Sequence, residues 1–212
     1  MAFAPPLFVV LDGIDGCGKS TQAKRLAEAL SMRRGAPALH LREPGSTRLG
    51  ERIRELLLSR ALQIAAPSET LLFAAARRAM LDELVAPALA RGVDVVCERF
   101  HASTFAYQAF AGGLDAGQVL ELLRTWAGEP VPQLTLILDL DPELAQGRRR
   151  APSDRIEDRG LEFQRRVASG YRRYAELEPL AQVVAADGSE EHVHRVVLAA
   201  VNAWFAKEAA RG

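Results

Sequence analysis

The sequence predicts an α/β fold, a doubly wound parallel sheet of about five strands with helices on both faces. Three observations lead there. Five short apolar runs are rich in β-branched residues or end at polar ones. Longer stretches with helical spacing separate them, and alternation of strand and helix calls for a parallel sheet covered on both sides. Directly after the first run comes a glycine-rich segment that opens a helix.

The runs, in order, are Leu7–Leu11, Leu39–Arg42, Val93–Cys97, Leu134–Leu140 and Gln182–Ala186. Asp115, followed three residues later by Gln118, is a helix-start signal for the segment running toward Trp126. The last helix is the clearest: Val193, Val196, Val197, Ala200, Val201, Trp204 and Phe205 recur at spacings of three and four. Ser189 can cap it, and Glu190 and Glu191 fall in its first turn, where the helix dipole favours negative charge. No repeat, low-complexity tract or dividing linker interrupts the chain, so a single domain over residues 1–212 is expected. Around Arg149–Asp154, Ala151, Pro152 and Ser153 break a basic run. This stretch reads as a mobile loop between two helices, either a lid over about 148–156 or plain surface.

The 212 residues are ample for a closed core, and a hydrophobic fraction of 49% with 25% charged residues suits a soluble protein. Lys plus Arg equals Asp plus Glu at 27 each, which gives no global basic field and no reason to expect a nucleic-acid partner. Arg148, Arg149, Arg150 and Arg155 nevertheless crowd one stretch, where a local cluster can meet phosphate. Two cysteines, Cys17 and Cys97, do not make a disulfide framework and suit a reducing compartment. The N-terminal segment lacks a basic n-region, and no run approaches the ~20 apolar residues that span a bilayer. A cytoplasmic protein without a membrane partner is expected.

Gly13-Ile14-Asp15-Gly16-Cys17-Gly18-Lys19-Ser20 fits the pattern G-x-x-x-x-G-K-[ST] in full, between a predicted strand and a predicted helix. Glycines let backbone N–H groups curl around an anion, and the new helix turns its positive end toward the phosphates. Lys19 offers a point charge to the outer phosphates and the Ser20 hydroxyl suits Mg²⁺. ATP is the expected donor, held by these eight residues and Thr21. Motor ATPases, GTPases and small-molecule kinases share this loop, so the acceptor must be read from elsewhere.

Four further segments resemble the thymidylate kinase family. They are Arg42-Glu43-Pro44-Gly45-Ser46-Thr47; the helix Leu71-Leu72-Phe73-Ala74-Ala75-Ala76-Arg77; Glu98-Arg99 with Ser103, Thr104 and Ala106-Tyr107-Gln108; and Asp154-Arg155-Ile156-Glu157. With the phosphate loop they run in order from Val9 to about Tyr171, most of the chain. The resemblance implies a P-loop kinase fold and phosphorylation of dTMP to dTDP with ATP and Mg²⁺. It also implies a homodimer.

It further implies an acceptor site beside the phosphate loop, built from Asp15, Glu43, Arg54, Phe73, Arg77, Arg99, Thr104, Tyr107 and Gln108. Phe73 and Arg77 are four apart, hence on one helix face, and the spacing favours Arg77 over Arg78. By family precedent Phe73 stacks on thymine and Arg77 meets a base carbonyl, Arg54 holds the acceptor phosphate, and Asp15 accepts the sugar 3′-hydroxyl. Thr104 and Gln108 then contact the base, and Tyr107 crowds the 2′ position. Read alone, Phe73 is equally a core aromatic, Arg77 and Arg54 are solvated charges, and Asp15 is a turn residue bonded to backbone N–H groups. Arg99, at a strand end, is placed to bridge donor and acceptor phosphates, and Lys19, Arg150 and Arg155 are the other catalytic candidates.

Departures from the family pattern are informative. Cys17 stands where some members carry a basic residue, so this chain resembles those that use lid arginines, here Arg148, Arg150 or Arg155. Glu98 replaces the usual Asp at the expected Mg²⁺ site, which Ser20 and Glu98 would share. Ala79 and Met80 replace polar residues, which predicts a base pocket with fewer hydrogen bonds. Two rival functions remain at this level: a deoxynucleoside kinase, whose Glu-Arg after the third strand Glu98-Arg99 imitates, and a nucleotide-binding switch without turnover. Cys17, near a helix N-terminus and Lys19, is expected either to be a reactive thiolate or to fill a small slot with its sulfur turned inward. Cys97 is expected to be buried.

Overall fold

Strand β1, Phe8–Asp12, is buried at every residue and takes the centre of the sheet. The computed structural model describes residues 5–148, 155–156 and 159–210. Among them, β2 (Leu39–Arg42), β3 (Val95–Glu98), β4 (Leu134–Asp139) and β5 (Ala181–Ala185) complete one all-parallel sheet in the order β2-β3-β1-β4-β5. All five expected runs become strands, with ends shifted by no more than two residues.

Alternation along β1 divides the core. Phe8 and Val10 face one side with Leu41, Val95 and Cys97, where Met80, Leu81 and Val85 cover them. Val9 and Leu11 face the other side with Val96, Leu134 and Leu136. A strand buried on both faces reads as continuous apolar sequence for this reason.

The helices are α1 (Lys19–Arg34), α2 (Arg48–Leu58), α3 (Ala66–Met80), α4 (Ala86–Ala90), α5 (His101–Thr104), α6 (Ala116–Ala127), α7 (Pro142–Arg148), α8 (Gly160–Leu177) and α9 (Glu190–Ala209). A π-helical stretch, Leu81–Val85, joins α3 to α4, and another, Phe105–Phe110, continues α5. The expected caps form: Asp115 accepts from the Gln118 N–H at 2.8 Å, and Ser189 accepts from the His192 N–H at 3.2 Å. Thr47 caps α2 by accepting from the Gly50 N–H at 2.9 Å. No helix among the described residues is long and apolar enough to cross a membrane. The segment expected at 149–154 lies outside the described residues.

From β1 the chain crosses past β3 to build β2, returns through β3, and then passes to the other side of β1 for β4. The reversal opens a crevice at the carboxyl end of β1, the place where ligands bind in such sheets.

The opposite end is tied by Asp94, 2% exposed. It accepts from the Leu7 N–H at 2.7 Å and from Arg34 of α1 at 2.8 and 2.9 Å. Asp94→Ala removes the carboxylate partner of a largely enclosed arginine, which keeps its bond to Pro5 O, and the acceptor of a buried N–H, so it should lower stability by about 3 kcal/mol. Urea midpoints at constant m-value would measure this, and a loss below about 1 kcal/mol would refute it.

Candidate functional site

The turn after β1 is shaped by glycines that no other residue could replace. Gly13 has φ +139°, and a Cβ there would lie 2.6 Å from Leu138 O. Gly16 has φ +90°, and its Cβ would lie 2.2 Å from Ala145 O. The loop therefore packs backbone to backbone against the end of β4 and α7 and passes into α1 at Gly18. A groove of about 710 Å³ follows, lined by Asp15 through Gln22 together with Arg148, Ala186, Gly188, Glu190 and Val193. Of the expected donor-side residues, Asp15 to Thr21 line it, whereas Gly13 and Ile14 do not. Lys19 is 7% exposed and donates from Nζ to Asp15 Oδ1 at 2.9 Å and to Ile14 O at 3.3 Å.

A second cavity, about 140 Å³, adjoins it. Asp15, Glu43, Arg54, Phe73, Arg77, Arg99, Thr104, Tyr107 and Gln108 all line this space, with Pro44, Leu58, Ser103 and Ile156. The nine residues expected at an acceptor site thus meet in one cavity. They come from the phosphate loop, the segment after β2, α2, α3 and the helix after β3. Asp15 lines both spaces. Its carboxylate also bonds Arg99 Nη2 and accepts from Tyr107 Oη at 3.2 Å. Burial alone would raise its pKa, but Arg99 and Lys19 beside it hold it well below the usual carboxylate range.

Arg77 is 1% exposed. Its Nε lies 2.7 and 3.0 Å from the two Glu43 oxygens, and its Nη2 donates to Thr104 Oγ1 at 3.1 Å. Nη1 is buried and has no hydrogen-bond partner among the described residues. Arg78, as the spacing indicated, points elsewhere and pairs with Asp82 on the exposed side. Burial pushes the Glu43 carboxyl up to about 7 against the pull of Arg77. Ser20 Oγ bonds Glu98 Oε2, and Glu98 Oε1 lies 3.0 Å from His40 Nε2. Two hard oxygen donors therefore sit side by side next to the phosphate loop, a set that suits Mg²⁺.

Several expectations need correction. Arg155 does not reach the phosphate-loop groove. It donates to Leu57 O at 2.9 and 3.1 Å and pairs with Glu69 at 2.7 Å, because Glu69 is fully enclosed and requires cations. Arg159 joins it at 2.6 Å. Gln108 gives its amide N–H to the same carboxylate at 3.1 Å, leaving its carbonyl oxygen for the cavity. Arg148 does line the groove, with Nη1 donating to Ala186 O at 3.0 Å. Arg150 lies outside the described residues. Ala79 and Met80 do not line the second cavity, since α3 turns Met80 into the sheet against Cys97. Cys17 is not a reactive thiolate. Its sulfur is turned inward against Gly13, and burial raises its pKa despite Lys19.

Sequence reasoning passed over Asp12, Tyr171, Glu69 and His40. Asp12 carried a signal: a carboxylate closing an apolar buried strand must find donors. Tyr171, Glu69 and His40 gave none, since each looks like ordinary helix or strand composition.

The family model described as thymidylate kinase matches residues 11–197. A thymidylate kinase of Pelotomaculum thermopropionicum is 44% identical over 199 residues, 91% of each chain. One from Chlorobaculum tepidum is 38% identical, covering 96% of this chain and all of its own. Among solved structures, thymidylate kinase from Ehrlichia chaffeensis superposes with a TM-score of 0.77 at 32% identity, covering 93% of this chain and 99% of that one.

Two outcomes follow from the site's burial. Neither Cys17 nor Cys97 should react with an alkylating reagent in the folded protein near neutral pH, and both should react after unfolding. Labelling of Cys17 in the native state would contradict the inward sulfur. A carboxyl raised by folding binds more protons in the native than in the unfolded state. The stabilising contribution of Glu43 is therefore full below its ordinary pKa and is lost as pH rises through about 7. Glu43→Gln should flatten the fall of denaturant midpoint over that window, and equal slopes would argue against the raised value.

Proposed function

This chain belongs to the thymidylate kinase family, and on that premise we propose how its residues divide the work of moving a phosphoryl group from ATP to dTMP. The reaction is that of an ATP:dTMP phosphotransferase, which sets aside both the nucleoside kinase and the switch without turnover. One observation carries the assignment of residues: donor groove and acceptor cavity meet at Asp15, whose Oδ1 accepts from both Lys19 and Arg99.

The acceptor base lies against Phe73, with Arg77 donating to a carbonyl and Thr104 and Gln108 completing the polar edge. The buried Nη1 of Arg77, unpaired among the described residues, supports this, because a donor enclosed without a partner is costly until a ligand meets it. Asp15 accepts the 3′-hydroxyl, Tyr107 occupies the space a 2′-hydroxyl would need, and Arg54, beside Pro44 O at 3.2 Å, takes the acceptor phosphate. Glu43 orients Arg77. An oxygen of the dTMP phosphate attacks the γ-phosphorus in line while ADP leaves. Charge then develops on the migrating group's outer oxygens, where fixed cations lower the barrier. Lys19 and Arg99 are those cations, and the backbone N–H groups from Asp15 to Thr21, which line the groove, hold the donor phosphates. Ser20 and Glu98 would hold Mg²⁺, which neutralises phosphate charge when bound.

The same reading makes residues 1–212 one catalytic domain with a lid near 148–156, where Arg150 adds charge on closing. It also makes the enzyme a cytoplasmic homodimer without a nucleic-acid partner. Leu49 and Leu56, 52% and 48% exposed and seven apart on α2, and Leu71, 59% exposed on α3, support such a face. The balanced charge offers little to a polyanion.

ADP release should be fast with dTMP, slower with dUMP and absent with thymidine, since Arg54 requires the phosphate. Equal rates on dTMP and thymidine would sink the assignment. Arg99→Ala should lower kcat by at least ~10²-fold with little change in KM for ATP. A mutant defective only in ATP KM would show that Arg99 binds donor rather than transition state.

A further inference from the structure

Asp12 closes β1, is fully buried, and lines neither cavity. Its Oδ1 accepts from the Gly13 N–H at 2.9 Å and from the Ser103 and Tyr171 hydroxyls, each at 2.7 Å. Its Oδ2 accepts from the N–H groups of Phe100 and Ser103, both at 3.0 Å. Five donors from the phosphate loop, the turn after β3 and α8 thus converge on one carboxylate.

Arg99 stands in the middle of this set. Its φ is +66°, a left-handed conformation that a long side chain adopts only when its surroundings impose it. Two bonds impose it here. The Arg99 N–H donates to Leu11 O at 2.9 Å, and the next N–H, of Phe100, donates to Asp12. Turned this way, the guanidinium gives Nη1 to Ser103 Oγ at 3.0 Å and to Tyr171 Oη at 3.2 Å, and Nη2 to Asp15.

Each of those hydroxyls has one proton, and their oxygens are 2.8 Å apart. Asp12 is the anion within reach of both. With both protons directed to it, the two oxygens face Arg99 as acceptors only, which is what a cation requires. A neutral amide at this position would aim its own N–H at some of the five donors and break the pattern.

We infer that Asp12 is a positioning residue for phosphoryl transfer: it fixes the left-handed turn at Arg99 and orients the Ser103 and Tyr171 hydroxyls that carry the guanidinium. This rests on the reading of Arg99 as the group that stabilises the migrating phosphoryl. A carboxylate that merely tied β1 to β3 would affect stability, and any loss of rate would not depend on Arg99.

The test is a double-mutant cycle in the full chain with Asp12→Asn, Arg99→Ala and the pair, reading kcat, both KM values and the melting temperature. Asp12→Asn should lower kcat at least ~10-fold with each KM within ~3-fold, and should add less than ~3-fold once Arg99 is alanine. The same factor in both backgrounds would overturn the inference while leaving Arg99 in its role. An unchanged kcat for Arg99→Ala would overturn the reading of Arg99 and this inference with it. If Asp12→Asn does not fold, Tyr171→Phe keeps the ring and enters the same cycle. A fall in kcat that disappears with Arg99→Ala supports the inference, and an additive one overturns it.

Discussion

Two cations, Lys19 and Arg99, are enclosed within reach of the same point at the end of β1, and the carboxylate of Asp15 lets them stay there. Brought together without it, two desolvated positive charges would repel strongly, and each would favour a route back to water. With it, a cation lining the groove and a cation lining the adjoining cavity are both bonded to one carboxylate oxygen. The apparent anomaly of an acidic residue in an anion-binding loop is therefore resolved by its neighbours. Its charge is balanced before a nucleotide arrives, and its position defines where the two cavities join.

The same logic recurs deeper in the acceptor side. Glu43 and Glu69 are buried carboxylates, 3% and 0% exposed, and each recruits arginine. Glu43 fixes Arg77, while Glu69 gathers Arg155, Arg159 and the amide of Gln108. Helix α3 carries Glu69 in its first turn and Arg77 in its last, so one rigid element sets two of the contacts that shape the cavity. Breaking either pair would leave an uncompensated charge inside the protein, which is why such groups hold geometry more firmly than they add stability.

The helix after β3 shows how local backbone serves this arrangement. At Phe105–Phe110 it widens to π-helical geometry, a form found mostly as short segments near functional sites. The stretch contains Tyr107 and Gln108, and α8 packs closely against it at Gly170, where a Cβ would lie 2.9 Å from Phe110. Tyr107 is thereby presented to Asp15 and Gln108 to Glu69.

Much of this protein was legible from residues in order. Apolar runs marked the strands, most plainly the inner three, β1, β3 and β4, because a strand buried on both faces has no polar alternation to hide it. The glycines and Lys19 marked the loop after β1, because that spacing lets backbone N–H groups curl around an anion. A four-residue step marked Phe73 and Arg77 as neighbours, because helical periodicity is local. What sequence left open involved partners far apart in the chain. Whether Cys17 faces water or core depended on Gly13 and the packing beneath the loop. Arg155 was drawn to Glu69, 86 residues away, rather than to the phosphate loop. Asp12 and Tyr171, 159 residues apart, meet only because the sheet brings α8 over the end of β1. Local spacing determines which chemistry a segment can offer. Only the tertiary structure decides which charge each buried group must answer to, because burial and pairing belong to the packed interior and not to the chain.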